Sequence, residues 1–349
     1  MRKSGLVSIL MPVMNGELFL PFALDSLLAQ NYPLFEIIIL DNQSTDRTEE
    51  ICCAYAMRDG RIRYMRDSVN RITHDAANHL ATFITGEFCM YACDDDIWDP
   101  NFLSVLVGRL QGDLEIGLAF PNACYVDISG DKGTRRLLSK RLLYSRTSSP
   151  LRNVWSFLWH RRVVPMLFGV YRSETLIGAL PFVTFDETIA NVDTLFLIKL
   201  MLQAKVQGVD EVLFYYRNKY RGYDPSVVKA HPAGRSVFAA WLFEAGHQWR
   251  FLRQIIKVLN EAHIARGQRL ILLVRVLYVF VGALTILRMR SAVGKVLVQL
   301  GLREGPPRKK DIHFEIRSAA LQTIGYNPLP DAIMEKELSP SGTASHKAE

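Results

Sequence analysis

The chain has 349 residues, of which 49% are hydrophobic and 22% charged, so it can bury the core of a large domain. This composition excludes a disordered or fibrous protein. The net charge is +7, and the excess is concentrated between Arg266 and Lys310, where ten Lys and Arg residues stand against one carboxylate, Glu304. Apolar residues fill this region, which favours an anionic membrane surface as its partner. Aromatic residues that could stack on bases are not interleaved with the basic ones, so we expect no nucleic-acid partner.

The N-terminal segment and the cysteines indicate the cellular compartment in which the protein is found. The apolar run at residues 6–11 follows two basic residues, but it breaks at Pro12 without a small-residue cleavage pattern, so it predicts a strand rather than a secretory signal. The five cysteines are odd in number and lack the paired spacing of a zinc site. We therefore expect a cytoplasmic protein, with the cytoplasmic face of the inner membrane as the surface that the basic region would meet.

Strands and helices are predicted to alternate through the first half of the chain. Strands are expected at residues 6–11, 36–40, 61–65 and 87–92, and "EIIIL" at 36–40 is typical of a strand buried on both faces. Helical patterns lie between them, with Asn15 as the cap of the first and Asp46 with Glu49 as a capping box for the second. This alternation predicts a doubly wound, mainly parallel α/β sheet, which binds ligands outside the carboxyl ends of its strands.

Acidic residues follow two of these strands. Asp41 ends the second, and the fourth runs into "CDDDIW", with Asp94, Asp95 and Asp96. Two unit charges about 4 Å apart repel by roughly 4 kcal/mol at an effective dielectric of about 20, so the cluster is either a solvated turn or a site for a divalent cation. Carboxylate oxygens suit magnesium or manganese, and the chain offers no glycine-rich phosphate loop.

The second half contains a helix at 192–203, "VDTLFLIKLMLQ", and a strand at 206–217. Asp193 in its first turn is either a favourable dipole partner or a general base. His74, His79 and His160 are expected to be surface or packing residues, and His231 is a weak candidate for a metal ligand. The apolar run 270–287 contains Arg275 and has arginines on both flanks, which favours an interfacial or core helix over a membrane span.

Five blocks in order resemble family 2 glycosyltransferases of the GT-A fold. They are "VSILMPVMNGELFLPFALDSLLAQNYPLFEIIILDNQSTDRT", "NHLATFITGEFCMYACDDDIWDPNFL", "FGVYR", "VDTLFLIKLMLQAKV" and "LFYYR", and they span residues 7–217. Two positions depart from the family pattern: Cys93 stands where many members have an acid, and Val192 stands where a Glu often precedes the base. The Gln-x-x-Arg-Trp motif of processive synthases is absent, which favours single-sugar transfer.

The resemblance implies a role for each matching residue. It assigns the nucleotide to Pro12, Val13, Asn15, Asp41 and Asp94, and a Mn²⁺ or Mg²⁺ ion to Asp95 and Asp96. It makes Asp193 the catalytic base and places Gly169, Tyr171 and Arg172 in the region facing the acceptor.

The expected activity is inverting transfer from a nucleoside diphosphate sugar to a glycan or lipid-linked glycan acceptor. A sugar nucleotidyltransferase and a non-catalytic binding protein of the same fold are the alternatives. The predicted divisions are a GT-A domain at 1–225, with a nucleotide half at 1–125 and an acceptor half at 126–225, a basic apolar helical extension at 226–304, and a linker with a disordered tail at 305–349.

Overall fold

The structure is a computed structural model, and it describes residues 2–126, 135–137, 153–154, 157, 164–183, 191–217, 237–262 and 264–278. The predictions on His160, His231, the second half of the apolar run and the segment 305–349 lie outside these residues. The strands are β1 Lys3–Val13, β2 Phe35–Asp41, β3 Ile62–Arg66, β4 Gly86–Tyr91, β5 Ile97–Trp98, β6 Ile116–Val126, β7 Arg135–Leu137, β8 Val170–Arg172 and β9 Lys205–Arg217. The helices are α1 Leu20–Leu28, α2 Thr48–Arg58, α3 Thr73–Ala81, α4 Phe102–Gly112, α5 Val164–Leu167, α6 Ser173–Ala179, α7 Val192–Gln203, α8 Val237–Glu261 and α9 Arg266–Tyr278.

One mixed sheet organises these elements, in the order β3-β2-β1-β4-β8-β6-β9-β5, with β7 paired to β6. The first four strands are parallel, and so are β6 and β9. The antiparallel pairings of β8, β5 and β7 are short, two or three residue pairs each. The sheet is therefore mainly parallel, as the alternation of strands and helices predicts.

The core surrounds the central strands. In β1, Val7, Ile9, Leu10 and Met11 have no exposed surface, and neither do the three isoleucines 37–39 of β2. Burial on both faces explains why "EIIIL" is continuously apolar rather than alternating. Apolar residues of α8 and α9 join the same core, namely Phe251, Leu252, Ile255, Val258, Leu259, Leu272 and Val276.

Two predicted helix starts are wrong. α1 begins at Leu20, and Asn15 is not its cap but a left-handed residue (φ 53°) in the preceding loop. At α2, Asp46 does accept the backbone N–H of Thr48 at 3.0 Å, but Glu49 pairs with Arg66 and closes no capping box. In both places a contact with a distant part of the chain takes the side chain that the local pattern assigned to the helix end.

Gly86, the first residue of β4, has a close backbone approach. A Cβ at this position would lie 2.3 Å from the carbonyl oxygen of Leu6. The Gly86 N–H donates to the Ser8 hydroxyl at 2.9 Å, and its carbonyl accepts from the Ser173 hydroxyl at 2.7 Å. Because hydrogen bonds hold both sides of the residue, the strand cannot shift to make room for a side chain.

We expect Gly86→Ala to lower the free energy of unfolding by about 1–3 kcal/mol, since the new methyl group overlaps backbone rather than a flexible side chain. Gly108→Ala in α4 is the matched control. No atom lies within 4 Å of a Cβ there, and a helical Gly-to-Ala change should raise stability by about 0.5–1 kcal/mol. Urea denaturation of both variants measures the difference, and equal stability of the two would contradict the packing described at Gly86.

Candidate active site

Parallel pairing brings the ends of β1, β2, β3 and β4 to one edge of the sheet. Val13 pairs with Asp41, and Asp41 pairs with Arg66, so these three strands end level with one another. β4 pairs with β1 as far as Leu10 opposite Tyr91, and the acidic loop follows directly. All loops that carry the predicted nucleotide and metal residues therefore lie at this carboxyl edge.

The loop after β1 is fastened to the loop after β2. The Asn15 N–H donates to the Ser44 hydroxyl at 2.9 Å, and the Asn15 Oδ1 accepts from the Thr45 N–H at 2.8 Å. The next residue, Gly16, donates its N–H to the Thr48 hydroxyl at 2.8 Å. Asn15, predicted to line the nucleotide entry, thus also fixes the shape of that entry, and Val13 lies buried behind it with Pro12 half-buried in the strand.

Asp41 has no exposed surface. Its carboxylate accepts from the Ser44 N–H at 2.7 Å, from the Tyr64 hydroxyl at 2.9 Å and from the Arg66 guanidinium at 3.2 Å. Burial and then the hydrogen bond to Asp41 raise the pKa of the Tyr64 hydroxyl well above its usual value, so it remains a donor. A carboxylate has about four acceptor positions, so contact with a nucleotide base stays a prediction for Asp41.

Asn42 ties in a third loop, the one between β3 and α3. Its side-chain amide donates to the Arg71 carbonyl at 2.7 Å and accepts from the Arg71 N–H at 2.7 Å. Because one side chain both donates to and accepts from the backbone of Arg71, it fixes the position of this loop. α3 begins two residues later, so its first turn also lies at the carboxyl edge.

The three aspartates after β4 occupy different surroundings. Asp94 lies against Gly16, where a Cβ would come within 2.6 Å of its Oδ2 atom. Asp96 has no exposed surface, and its Oδ1 accepts from the Arg217 N–H at 2.9 Å, which links the loop to the end of β9. Sequence reasoning missed Gly16, although an Asn-Gly pair directly after a strand is a signal for a tight loop.

A candidate metal group lies in this loop. One ligand atom from each of Cys93, Asp95 and Asp96 falls within 4.8 Å of the other two. Magnesium and manganese typically take one or two protein carboxylates and complete their shell with substrate phosphates and water. Asp95 and Asp96 can supply the two carboxylates. The group contains Asp95 and Asp96, and it adds the Cys93 thiol at a position where the family pattern often has an acid; which of the aspartates bind a cation stays a prediction.

Asp193 is joined to a residue that the sequence predicted to be a surface or packing residue. His74, in the first turn of α3, is buried, and its Nε2 lies 3.0 Å from the Asp193 Oδ1. The contact joins two helices that start 119 residues apart in the chain, so no local spacing could have revealed it. Since the start of α3 lies at the carboxyl edge, the contact brings Asp193 to that edge as well.

The three residues predicted to face the acceptor lie at β8 and have different surroundings. Gly169 precedes β8, where a Cβ would lie 2.4 Å from the Ala119 carbonyl, and Tyr171 is fully buried with its hydroxyl on the carbonyls of Met166 and Leu167. Arg172 donates to the Ile116 carbonyl at 3.0 Å and lies beside Glu87, at the opposite edge of the sheet. These contacts are structural for Tyr171 and Arg172, and an acceptor role for them stays a prediction that the geometry does not support.

The fold and the loops at its carboxyl edge define an α/β domain of the kind that binds ligands outside its strand ends. Residues 8–167 match the family model described as glycosyl transferase family 2. The recognition from the five sequence blocks is thereby confirmed.

Relatives and solved structures agree with this assignment. The chain is 32% identical over 108 residues to the glycosyltransferase GlyG of Streptococcus pneumoniae, covering 31% of this chain and 36% of GlyG. It is 29% identical over 105 residues to the UDP-Glc:alpha-D-GlcNAc-diphosphoundecaprenol beta-1,3-glucosyltransferase WfgD of Escherichia coli, covering 30% and 41%. The chain therefore spans less than half the length of either relative.

Two solved structures show the same fold. S. aureus TarS in complex with UDP-GlcNAc has a TM-score of 0.58 at 19% identity, over 78% of this chain and 71% of TarS. The mannosyltransferase PcManGT from Pyrobaculum calidifontis, in complex with GDP-Man and Mn²⁺, has a TM-score of 0.50 at 16% identity, over 95% and 80%. The predicted fold class, an α/β domain of the GT-A type, is confirmed.

Proposed function

We propose that this protein transfers a single sugar, with inversion, from a nucleoside diphosphate sugar to an acceptor hydroxyl. The observation that carries the proposal is the presence of two acidic groups at the same edge of the sheet. One is the buried pair Asp95 and Asp96, and the other is the Asp193 carboxylate, whose side chain is 37% exposed. This transfer requires a cation site and a base that the acceptor can reach, and both are found at this edge.

The loops after β1, β2 and β3 are suited to bind the donor substrate. The loops after β1, β2 and β3 are bonded to one another, so they offer a preorganised surface to a nucleotide and need no ordering when it binds. The family resemblance, rather than a contact in the structure, assigns Asp94, which lies against Gly16, to the ribose and Asp41 to the base. The solved structures of TarS with UDP-GlcNAc and of PcManGT with GDP-Man and Mn²⁺ support a nucleoside diphosphate sugar as the donor.

Asp95 and Asp96 would hold a Mn²⁺ or Mg²⁺ ion, and Cys93 lies close enough to join them. When bound, such an ion offsets the negative charge that develops on the departing diphosphate. Without it, three carboxylates beside a diphosphate would repel the donor, so the residues themselves argue for a cation.

Asp193 acts on the acceptor. Its carboxylate takes the proton of the acceptor hydroxyl while the hydroxyl oxygen forms a bond to the anomeric carbon. The bond from that carbon to the diphosphate oxygen breaks on the opposite face, and its electron pair leaves with the diphosphate. Attack opposite the leaving group inverts the anomeric centre.

Two alternatives fit the site less well. A sugar nucleotidyltransferase would be expected to carry a Gly-rich loop with Arg and Lys after the first strand, and "PVMNGELFLP" contains neither Arg nor Lys. A non-catalytic binding protein would have no need for a partly exposed carboxylate held by a buried histidine. The His74–Asp193 contact therefore favours an enzyme.

Asp193→Asn should leave nucleotide binding in place but lower sugar transfer by about 10²–10⁴-fold, because the amide keeps the acceptor atom for His74 and loses the basic group. Release of nucleoside diphosphate from UDP-GlcNAc or GDP-Man in the presence of Mn²⁺ measures the reaction, and calorimetry with UDP or GDP measures binding. Asp75→Asn, an exposed carboxylate in the same turn of α3 as His74, is the control. Unchanged turnover in Asp193→Asn would remove Asp193 as the base.

We propose that the acceptor is a glycan or a lipid-linked glycan at the cytoplasmic face of the inner membrane. The name of WfgD, a transferase acting on a diphosphoundecaprenol-linked sugar, supports a lipid-linked acceptor. Within the described residues, α9 exposes an apolar stripe of Leu270, Ile271, Val274 and Leu277, with Tyr278 at its end. Arg266 and Arg275 are exposed on the same helix, which has no carboxylate, so its charge suits anionic lipid. None of the helices in the described ranges is long and apolar enough to cross a bilayer.

Sedimentation with vesicles tests this surface. The protein should pellet with vesicles of anionic phospholipid and remain in the supernatant with neutral ones, and the double change Leu270→Asp with Val274→Asp should weaken pelleting strongly. Leu114→Asp is the control, since Leu114 is 80% exposed at a turn away from α9. Equal pelleting of the wild type with neutral and anionic vesicles, or none with either, would overturn the proposed membrane contact.

A further inference from the structure

We infer that His74 is a positioning residue for Asp193: it holds one carboxylate oxygen so that the other faces the acceptor. The inference rests on the proposed function, which makes Asp193 the base. It assigns a task to a residue outside the motifs that identify the family, at a position where the sequence alone predicts only packing.

The exposure of the two side chains decides which of them acts on substrate. His74 has a side chain that is 10% exposed, whereas that of Asp193 is 37% exposed. His74 therefore lies behind Asp193 as seen from solvent, and its only polar contact that the structure gives runs through Nε2 to the Asp193 Oδ1 at 3.0 Å. An acceptor hydroxyl can reach the carboxylate but not the imidazole.

The chemistry of the two groups decides which atom carries the hydrogen in the His74–Asp193 contact. An ionised carboxylate only accepts hydrogen bonds, so the His74 Nε2 carries the hydrogen and donates it. The other ring nitrogen, Nδ1, is buried, and no hydrogen-bond partner for it is found in the described ranges. A buried N–H without a partner is rarer than a buried acceptor without one, which favours a bare Nδ1 and the neutral tautomer protonated at Nε2.

The ring has little freedom to turn away. The Phe182 ring lies 5.5 Å from the His74 ring, centroid to centroid, and it packs in turn against Phe196 of α7 at 4.4 Å. Asn78, one turn along α3 from His74, bonds the backbone of Phe182 in both directions, at 2.8 and 3.0 Å. α3 and α7 are thus joined through Phe182, which the Asn78 side chain holds and whose ring packs on Phe196, as well as by the imidazole–carboxylate contact.

Fixing one oxygen of the base should matter for the chemical step. A carboxylate free to rotate samples orientations in which neither oxygen points at the acceptor, and misplacement by about 1 Å can cost around 100-fold in rate. Asn191, which precedes α7, already has a left-handed backbone (φ 67°), so the start of this helix is set by its surroundings. His74 adds the side-chain restraint that the backbone cannot supply.

The first test needs no substrate. Nitrogen-15 NMR of the histidine rings at pH 7.5, with the His74 signals assigned by their loss in His74→Gln, should show one ring with hydrogen on Nε2 and a bare Nδ1. Asp193→Ala should shift the Nε2 resonance of that ring and leave the ring of His79 unchanged. A ring protonated at Nδ1, or one unaffected by Asp193→Ala, would overturn the inference.

The second test separates positioning from folding. His74→Leu removes the donor at similar volume and should lower kcat for diphosphate release from UDP-GlcNAc or GDP-Man by roughly ten- to hundredfold, with KM for the donor nearly unchanged. His74→Gln keeps an N–H donor and should recover most of that loss. A merely structural role would lower both variants alike, or change KM and binding along with kcat.

His79→Gln is the matched control on the same helix. His79 lies 3.4 Å from Asp67 and has no contact with Asp193, so kcat should stay at the wild-type value. Calorimetry with UDP and GDP in the presence of Mn²⁺ distinguishes the two levels of failure. Nucleotide binding and turnover that persist unchanged in His74→Leu would overturn the role of His74 alone, whereas absence of both in the wild type would overturn the proposed function and this role with it.

Discussion

The parallel hydrogen-bonded pairing of β1 with both β2 and β4 is the constraint on which the site depends. It aligns the carboxyl ends of neighbouring strands, so three loops that are distant in sequence leave the sheet at one edge. The strands that make this possible are apolar on both faces, because helices cover each side of the sheet. A shift of register by one residue would move Asp41 off its position opposite Val13 and Arg66, and the network around its carboxylate would be lost.

The buried carboxylate of Asp41 converts this alignment into a fixed surface. Its contacts to Ser44, Tyr64 and Arg66 compensate for the loss of water, since a buried charge is tolerated only when it is paired and hydrogen-bonded. Asn15 and Asn42 then attach the flanking loops to the same region. The loops are therefore held in place before any ligand binds, and Asp94 of the acidic loop lies against Gly16 of the loop after β1. At the same edge, His74 contacts Asp193 from the second half of the chain.

Much of this was predictable from sequence, and the failures share one physical cause. The alternation of strands and helices predicted the sheet, and α7 spans the residues that its apolar pattern indicated, 192–203. The contacts that local patterns could not show are those where a side chain bonds to a distant part of the chain: Asn15 with Ser44, Glu49 with Arg66, His74 with Asp193. Arg172 is a further case, since the guanidinium of this motif residue donates to backbone carbonyls at the other edge of the sheet. Local patterns carry propensity and periodicity, whereas these contacts are set by the order of strands in the sheet.

Calorimetric titration of UDP, GDP, UDP-GlcNAc and GDP-Man, with Mn²⁺ and with chelator, into the wild type and Asp95→Ala tests the central claim most directly. Glu115→Ala, an exposed carboxylate at the opposite edge of the sheet, is the matched control. The account predicts metal-dependent binding of one nucleotide class to the wild type and to Glu115→Ala, and its loss in Asp95→Ala. Binding that is equally strong in Asp95→Ala, or that is unaffected by the chelator, would contradict a cation site formed by the aspartates at the carboxyl edge.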